Sequence, residues 1–144
     1  MNTLKLNIYE YSQCASEVRS IRYQVFVDEQ GVPNSLEIDG LDPEALHCLV
    51  VDNDIGIGTG RMLPDGHIGR VAVLKQYRGR GIGREIMISL IARAQELAFP
   101  KVWLSSQYHA KGFYEKLGFI VSGSIYQEAG IDHIKMTKTL QQVG

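Results

Sequence analysis

The chain has 144 residues, with 15 Lys and Arg against 16 Asp and Glu, a formal net charge of -1, and a mean hydropathy of -0.09. A length close to the usual domain size of about 150 residues predicts one domain over residues 1–144. Hydrophobic residues at 44% and charged residues at 22% exclude a disordered, fibrous or membrane-embedded chain, and the absence of basic excess argues against a nucleic-acid partner.

No basic-then-apolar segment opens the sequence, so a cytoplasmic protein with no membrane partner is expected. Cys14 and Cys48 stand apart, without a CxxC or Cys/His cluster. They read as buried hydrophobes, and no metal is expected.

Leu4, Leu6 and Ile8 alternate with polar residues and predict a first strand. Ser12 is a candidate cap for a helix with Val18, Ile21, Val25 and Phe26 on one face, ending near Gly31 and Pro33. Residues 31–44 read as a loop carrying Glu37, Asp39, Asp42 and Glu44. Apolar runs over 46–51, 55–63 and 67–74 are separated by Asp52-Asn53-Asp54 and Pro64-Asp65-Gly66 turns and predict three antiparallel strands. The strongest helix spans about 83–98, with Ile86, Leu90, Ile91, Ala94 and Leu97 on its buried face. Pro100 blocks its continuation, and Val102-Trp103-Leu104 is the next strand. Residues 110–117 form a short helix closed by Gly118, and runs 119–126 and 134–140 predict an antiparallel pair around Gly130. The order β, α, βββ, α, β, α, ββ predicts an α/β fold with a mixed sheet, in which strands 67–74 and 102–104 form one parallel pair through a right-handed crossover.

Glycine is the unusual residue, 15 against 4 prolines, with clusters at Gly56/Gly58/Gly60 and Gly79/Gly81/Gly83. Such density serves either backbone geometry or the close approach of something large. The second cluster lies in Lys75-Gln76-Tyr77-Arg78-Gly79-Arg80-Gly81-Ile82-Gly83-Arg84, between a strand and a helix. Small residues there let backbone N–H groups converge on an anion, assisted by the helix N-terminus. Each charge-assisted bond to phosphate contributes about 1.5–3 kcal/mol. The G-x-G-x-G spacing departs from both the Walker and the dinucleotide patterns. A glycine-rich turn with solvated arginines is the alternative.

Arg78-x-x-Gly81-x-Gly83 resembles the Q/R-x-x-G-x-G/A motif of GCN5-related N-acetyltransferases. Gln107-x-x-Ala110-x-x-Phe113-Tyr114-Glu115-Lys116-Leu117-Gly118-Phe119 is similar to that family's second signature, with Gln107 where Asn is common. Arg22-x-x-Val25-Phe26-Val27-x-Glu29-Gln30-x-Val32-Pro33, then Glu37-Ile38-Asp39-Gly40-x-Asp42 and His47, and Glu128-x-Gly130-Ile131-x-His133 resemble its ElaA-like subgroup. The resemblance covers nearly the whole chain. It implies a mostly antiparallel sheet with helices on both faces and one parallel pair splayed at the acetyl-CoA site. Acetyl-CoA is then the co-substrate, held by Val71, Val73, Arg78, Gly79, Arg80, Gly81, Ile82, Gly83, Arg84 and Gln107. The backbone N–H of Val73 would meet the oxyanion and Tyr114 would protonate the leaving thiolate, with Phe113 as the packed neighbour. Relatives are commonly homodimers.

The acceptor is expected to be an amine of a small molecule or peptide. A lysine-like amine of pKa about 10.4 costs roughly 4–5 kcal/mol to deprotonate at pH 7, so a base must help. Glu29, Glu37, Asp39, His47, His109, Glu128 and His133 are candidates, and Glu29 with His133 is the pair the motif positions favour. His47 also reads as a satisfied core histidine. Arg22 is either an acceptor anchor or an ion-pair partner of the acidic loop. A non-catalytic acyl-CoA sensor and an acyl-homoserine-lactone synthase are the competing functions.

Overall fold

The computed structural model describes residues 3–141. Residues 1, 2 and 142–144 of the expected domain lie outside the described residues. Strand β1 (Leu4–Glu10) runs directly into helix α1 (Tyr11–Arg22), followed by a π-helical segment (Tyr23–Glu29). Ser12 does not cap this helix. Its N-cap is Glu10, whose N–H donates to Gln13 Oε1 at 3.0 Å, because the strand leaves no intervening loop in which Ser12 could act. Val18, Ile21 and Val25 are buried as the periodicity predicts. The expected loop over 31–44 is not irregular throughout: it contains α2 (Asn34–Glu37) and a 3₁₀ turn (Asp42–Glu44).

Strands β2 (Leu46–Asp52), β3 (Ile55–Met62) and β4 (Ile68–Val73) complete a four-stranded antiparallel sheet of order β1-β2-β3-β4. Asn53 and Asp54, at φ 48° and 70°, make the left-handed two-residue turn that suits a tight hairpin. Helix α3 (Ile82–Glu96) follows the glycine turn. Then come β5 (Lys101–Gln107), α4 (Lys111–Glu115), β6 (Ile120–Val121), β7 (Tyr126–Glu128) and β8 (Ile131–Thr139). These strands form a second antiparallel sheet, β5-β8-β6, with β7 also paired to β8. The single closing strand predicted over 119–126 is therefore two short ones, and Ala129 and Gly130, at φ 53° and 76°, turn the chain into β8.

The first glycine cluster is explained by helix packing on both faces of β3. A Cβ at Gly56 would lie 3.1 Å from Ile21 Cδ1 of α1, and one at Gly60 only 2.6 Å from Ile86 Cγ2 of α3. Ile82, Ile86, Met87, Leu90 and Ala94 are the buried residues of α3. Leu97, predicted on that face, is 50% exposed, and Met87 takes its share of the core instead. The helix has ended by Leu97, and the stripe widens because α3 covers elements of both sheets.

The expected parallel pair is reduced to a single bridge, His67↔Trp103, reinforced by Trp103 N–H donating to Gly66 O at 3.0 Å. Beyond it β4 is bulged. Ala72 pairs with Thr59 and Gly69 with Arg61, and between them Arg70 sits at φ 51°, so the backbone turns away from β5. One bridge thus joins two sheets that diverge towards the glycine turn.

Gly66 makes this junction possible. Its φ is +87°, and an added Cβ would sit 2.5 Å from Lys101 O. Gly66→Ala is expected to destabilise the fold by about 1–3 kcal/mol, read as a lowered midpoint in chemical denaturation. An unchanged midpoint would show that the junction is not tightly constrained.

Candidate active site

Where the sheets part, a groove of about 440 Å³ opens against the start of α3. Val71, Val73, Tyr77, Arg78, Gly79, Gly81, Ile82, Gly83, Arg84 and Phe113 line it. Eight of these were singled out from the sequence. Arg80 is instead on the rim, its guanidinium 5.2 Å from the Tyr77 ring centroid. Gln107 ends β5 with its side chain exposed and does not line the groove.

The backbone of the turn is unusually free. Arg78 N–H returns to Lys75 O at 3.3 Å, and Glu85 N–H to Gly81 O at 3.1 Å. Among the described residues, the six N–H groups from Gly79 to Arg84 have no acceptor within the protein. Gly79 and Gly81 adopt φ of 80° and 78°, and a Cβ at Gly79, Gly81 or Gly83 would meet nothing within 4 Å. The glycines therefore bend the chain and leave its donors bare, at the positive end of a 15-residue helix. A run of donors facing open space fits the diphosphate of a coenzyme A thioester.

Val73 faces the same gap. Leu74 N–H donates to Ile57 O at 2.9 Å and Val73 stands opposite Gly58. Strand alternation therefore turns the N–H and C=O of Val73 away from β3. Its carbonyl accepts Arg78 Nε at 2.9 Å. The rest of the Arg78 guanidinium grips Glu29, Nη1 to Oε2 at 2.6 Å and Nη2 to Oε1 at 2.7 Å. That hydrogen-bonded pair holds the Glu29 carboxyl below its ordinary range. Tyr77, not anticipated, donates its hydroxyl to Asp52 Oδ2 at 2.6 Å. Its signal was its place just before the motif.

The aromatic pair on α4 reverses the expected packing. Phe113 is 42% exposed and lines the groove, whereas Tyr114 packs on the core, edge-on to Phe119 at 6.1 Å between centroids. A helix of only five residues docks by one edge, and that edge carries Tyr114. Burial pushes the Tyr114 phenol up from its ordinary pKa, so it stays protonated at neutral pH.

Glu29 and His133 do not form a pair. Glu29 belongs to Arg78, and His133 lies on β8 with its Nε2 3.8 Å from Glu128 Oε2. The Ile131 carbonyl, 2.8 Å from His133 Nδ1, can only accept, so Nδ1 donates to it and Nε2 faces Glu128.

The acidic loop is a structural ion cluster. Arg22, 1% exposed, donates Nε to Glu37 Oε1 and Nη1 to Asp42 Oδ1 at 2.6 Å. Arg61 grips Asp39 through both Nη atoms, at 2.9 and 2.8 Å, and reaches Asp42 at 3.1 Å. Arg22 is thus the ion-pair partner, and Glu37, Asp39 and Asp42 are not free bases. His47 is fully buried, its Nε2 donating to Asp42 O at 3.0 Å, while its Nδ1 has no partner among the described residues. Among the described residues no helix is long and apolar enough to cross a membrane, and no group of three His, Cys, Asp or Glu could hold a metal ion.

Comparison with known proteins shows the family. The model of the acetyltransferase (GNAT) domain matches residues 9–140. The chain is 38% identical over 122 residues to the uncharacterized N-acetyltransferase YjcF of Bacillus subtilis (strain 168), covering 82% of this chain and 87% of the relative. It is 32% identical over 130 residues to protein ElaA of Escherichia coli (strain K12), covering 85% of each. The crystal structure of Escherichia coli ElaA aligns with a TM-score of 0.84 at 29% identity, over 93% of this chain and 99% of that one. A GNAT family acetyltransferase from Elizabethkingia anophelis, solved with acetyl-CoA bound, shares the fold with a TM-score of 0.70 at 18% identity, over 97% and 100% of the two chains. The chain belongs to the GCN5-related acetyltransferase (GNAT) family, whose acyl donor is acetyl-CoA, and ElaA is among its relatives.

The ion cluster sets a pH dependence. Burial lowers the His47 pKa below 6.5. The hydrogen bond from Arg61 holds Asp39 well below 3.8. Burial opposes ionisation of Asp42, yet the hydrogen bond and charge of Arg22, then those of Arg61, keep it below 3.8 as well. All three native pKa values are depressed, so the unfolded chain binds more protons and stability is lost as pH falls. Urea unfolding is expected to show nearly level stability from about pH 7.5 to 8, a decline below that from His47, and a steeper one through the carboxylate range. Stability that rises on acidification from pH 7 to 5 would contradict this.

Proposed function

We propose that the protein transfers an acetyl group from acetyl-CoA directly to a primary amine. The six unpaired N–H groups of residues 79–84, beside a gap between two diverging strands, carry this reading. They bind the diphosphate with help from Arg84. The pantetheine and thioester then enter between β4 and β5 along Val71 and Val73. The outward N–H of Val73 and the bulged backbone at Val71 supply donors for the thioester oxyanion, fixed in place before the reaction begins.

Counted in step from His67↔Trp103, Val71 lies about level with Gln107, and Gln107 pairs with His133 across β5 and β8. In this reading His133, through Nε2, receives the proton that leaves the attacking amine. When the tetrahedral intermediate collapses, the carbon–sulfur bond breaks and Tyr114 donates its phenolic proton to the thiolate. Glu29 positions Arg78 rather than acting as the base, because a bidentate arginine keeps its carboxylate a poor proton acceptor.

Acetyl-CoA is expected to raise the thermal midpoint, and Gly81→Val to abolish the shift by distorting the turn and filling the space before the amides. Tyr114→Phe is expected to lower kcat by about 100-fold with little change in acetyl-CoA affinity, measured by free-thiol release over an amine panel. Binding of acetyl-CoA without thiol release from any amine would instead identify an acyl-CoA sensor.

A further inference from the structure

The glycine turn carries its bare amides without backbone support of its own. Among the described residues, Leu74 N–H, donating to Ile57 O at 2.9 Å, is the last backbone bond from this segment to β3. Tyr77 N–H to Leu74 O and Arg78 N–H to Lys75 O, at 2.9 and 3.3 Å, only close a local 3₁₀ turn over Lys75–Tyr77. The unpaired stretch that follows includes Gly79 and Gly81, both at positive φ with open space around them. Such a stretch has several conformations of similar energy, and a ligand that binds it must fix one of them. Side chains therefore decide where the amides point. Ile82 is buried in the core, Arg78 is bonded to Val73 O and Glu29, and Tyr77 is the third anchor.

Tyr77 lines the groove and donates its hydroxyl to Asp52 Oδ2 at 2.6 Å, the length of a bond to a charged acceptor. Asp52 ends β2, where the chain turns towards β3, and does not line the groove. Its Oδ1 accepts the Thr3 hydroxyl. The bonds from Thr3 and then Tyr77 hold the Asp52 carboxyl below its ordinary range, and the bond to Asp52 raises the Tyr77 phenol. The charge thus stays on the carboxylate and the proton on the phenol. Arg80, from within the turn, places its guanidinium 5.2 Å from the Tyr77 ring centroid. Thr3, Asp52, Tyr77 and Arg80 form one chain of contacts from the β2–β3 hairpin to the amides.

We propose that Asp52 and Tyr77 are positioning residues for acetyl-CoA: their hydrogen bond fixes the glycine turn against the β2–β3 hairpin, so the amides meet the diphosphate already in place. The inference rests on reading the turn as the diphosphate site. Asp52 does not meet the coenzyme and acts only through Tyr77. The core does not require this bond. Tyr77 and Asp52 are both only half-buried, and the Tyr77 ring packs against the core whether or not it carries a hydroxyl. Water would satisfy either polar group in its absence, so its effect lies in where it holds the turn.

The test is calorimetric titration with acetyl-CoA, beside the unfolding midpoint of the ligand-free protein. Tyr77→Phe keeps the ring under Arg80 and removes only the hydrogen bond. It is expected to weaken acetyl-CoA binding about fivefold to tenfold, and to lower the ligand-free midpoint by no more than about 4 °C. Asp52→Ala should match that loss of affinity. Asp52→Asn, whose amide oxygen still accepts from the phenol, should restore it. Tyr77→Phe combined with Asp52→Ala should lose no more affinity than either alone. Unchanged affinity in Tyr77→Phe, additive losses, or no rescue by Asp52→Asn overturns the positioning role and leaves the diphosphate site standing. Failure of the unsubstituted protein to bind acetyl-CoA overturns the diphosphate reading and this role with it.

Discussion

Everything in this molecule depends on two strands that run side by side and do not pair. β4 and β5 meet at His67↔Trp103 and then separate, leaving backbone donors and acceptors on facing edges. Unpaired strand edges are normally covered or blunted, because each bare N–H or C=O must find a partner. Here the gap is held open by the bulge at Arg70 and by α3, whose buried stripe of Ile82, Ile86, Met87, Leu90 and Ala94 anchors it in the common core. The helix that secures the fold thus begins at the turn whose amides face the gap. Core packing and donor presentation are consequences of one element.

Charge is arranged around the same gap by an unusual device. Three carboxylates on the 37–42 segment are neutralised by Arg22 and Arg61, both almost fully buried, with Arg70 contributing a weaker pair. Buried ion pairs contribute little net stability, since desolvation offsets most of the attraction, but breaking one partner leaves a charge stranded at high cost. Their effect here is to fix the position of a segment with little regular structure against β3 and β4. A run that reads as an acidic surface in sequence becomes a neutral wall.

The glycine-rich turn brings a similar economy. Its arginines are not interchangeable phosphate ligands: Arg78 is committed to Val73 O and Glu29, Arg80 covers Tyr77, and Arg84 remains 59% exposed at its side chain. Backbone amides, which cannot rotate away, are the donors left facing the groove. In the proposed reading these amides receive a diphosphate without any large basic surface, consistent with a chain of net charge -1.

Much of this was readable from local spacing. The alternation of Leu4, Leu6 and Ile8, the period of α3, the Pro64-Asp65-Gly66 turn and the R-x-x-G-x-G run each report short-range geometry, so the strands, helices and glycine turn were assigned close to their observed places. Tertiary structure decided the rest, because those features depend on distant partners. It reduced a parallel pair to one bridge and placed Tyr114 inside and Phe113 outside. It also gave Glu29 to Arg78 instead of His133, and converted Glu37, Asp39 and Asp42 from candidate bases into ion-pair partners. Sequence spacing sets which backbone conformations are cheap, but whether a charged or aromatic side chain is free depends on what the folded chain brings against it.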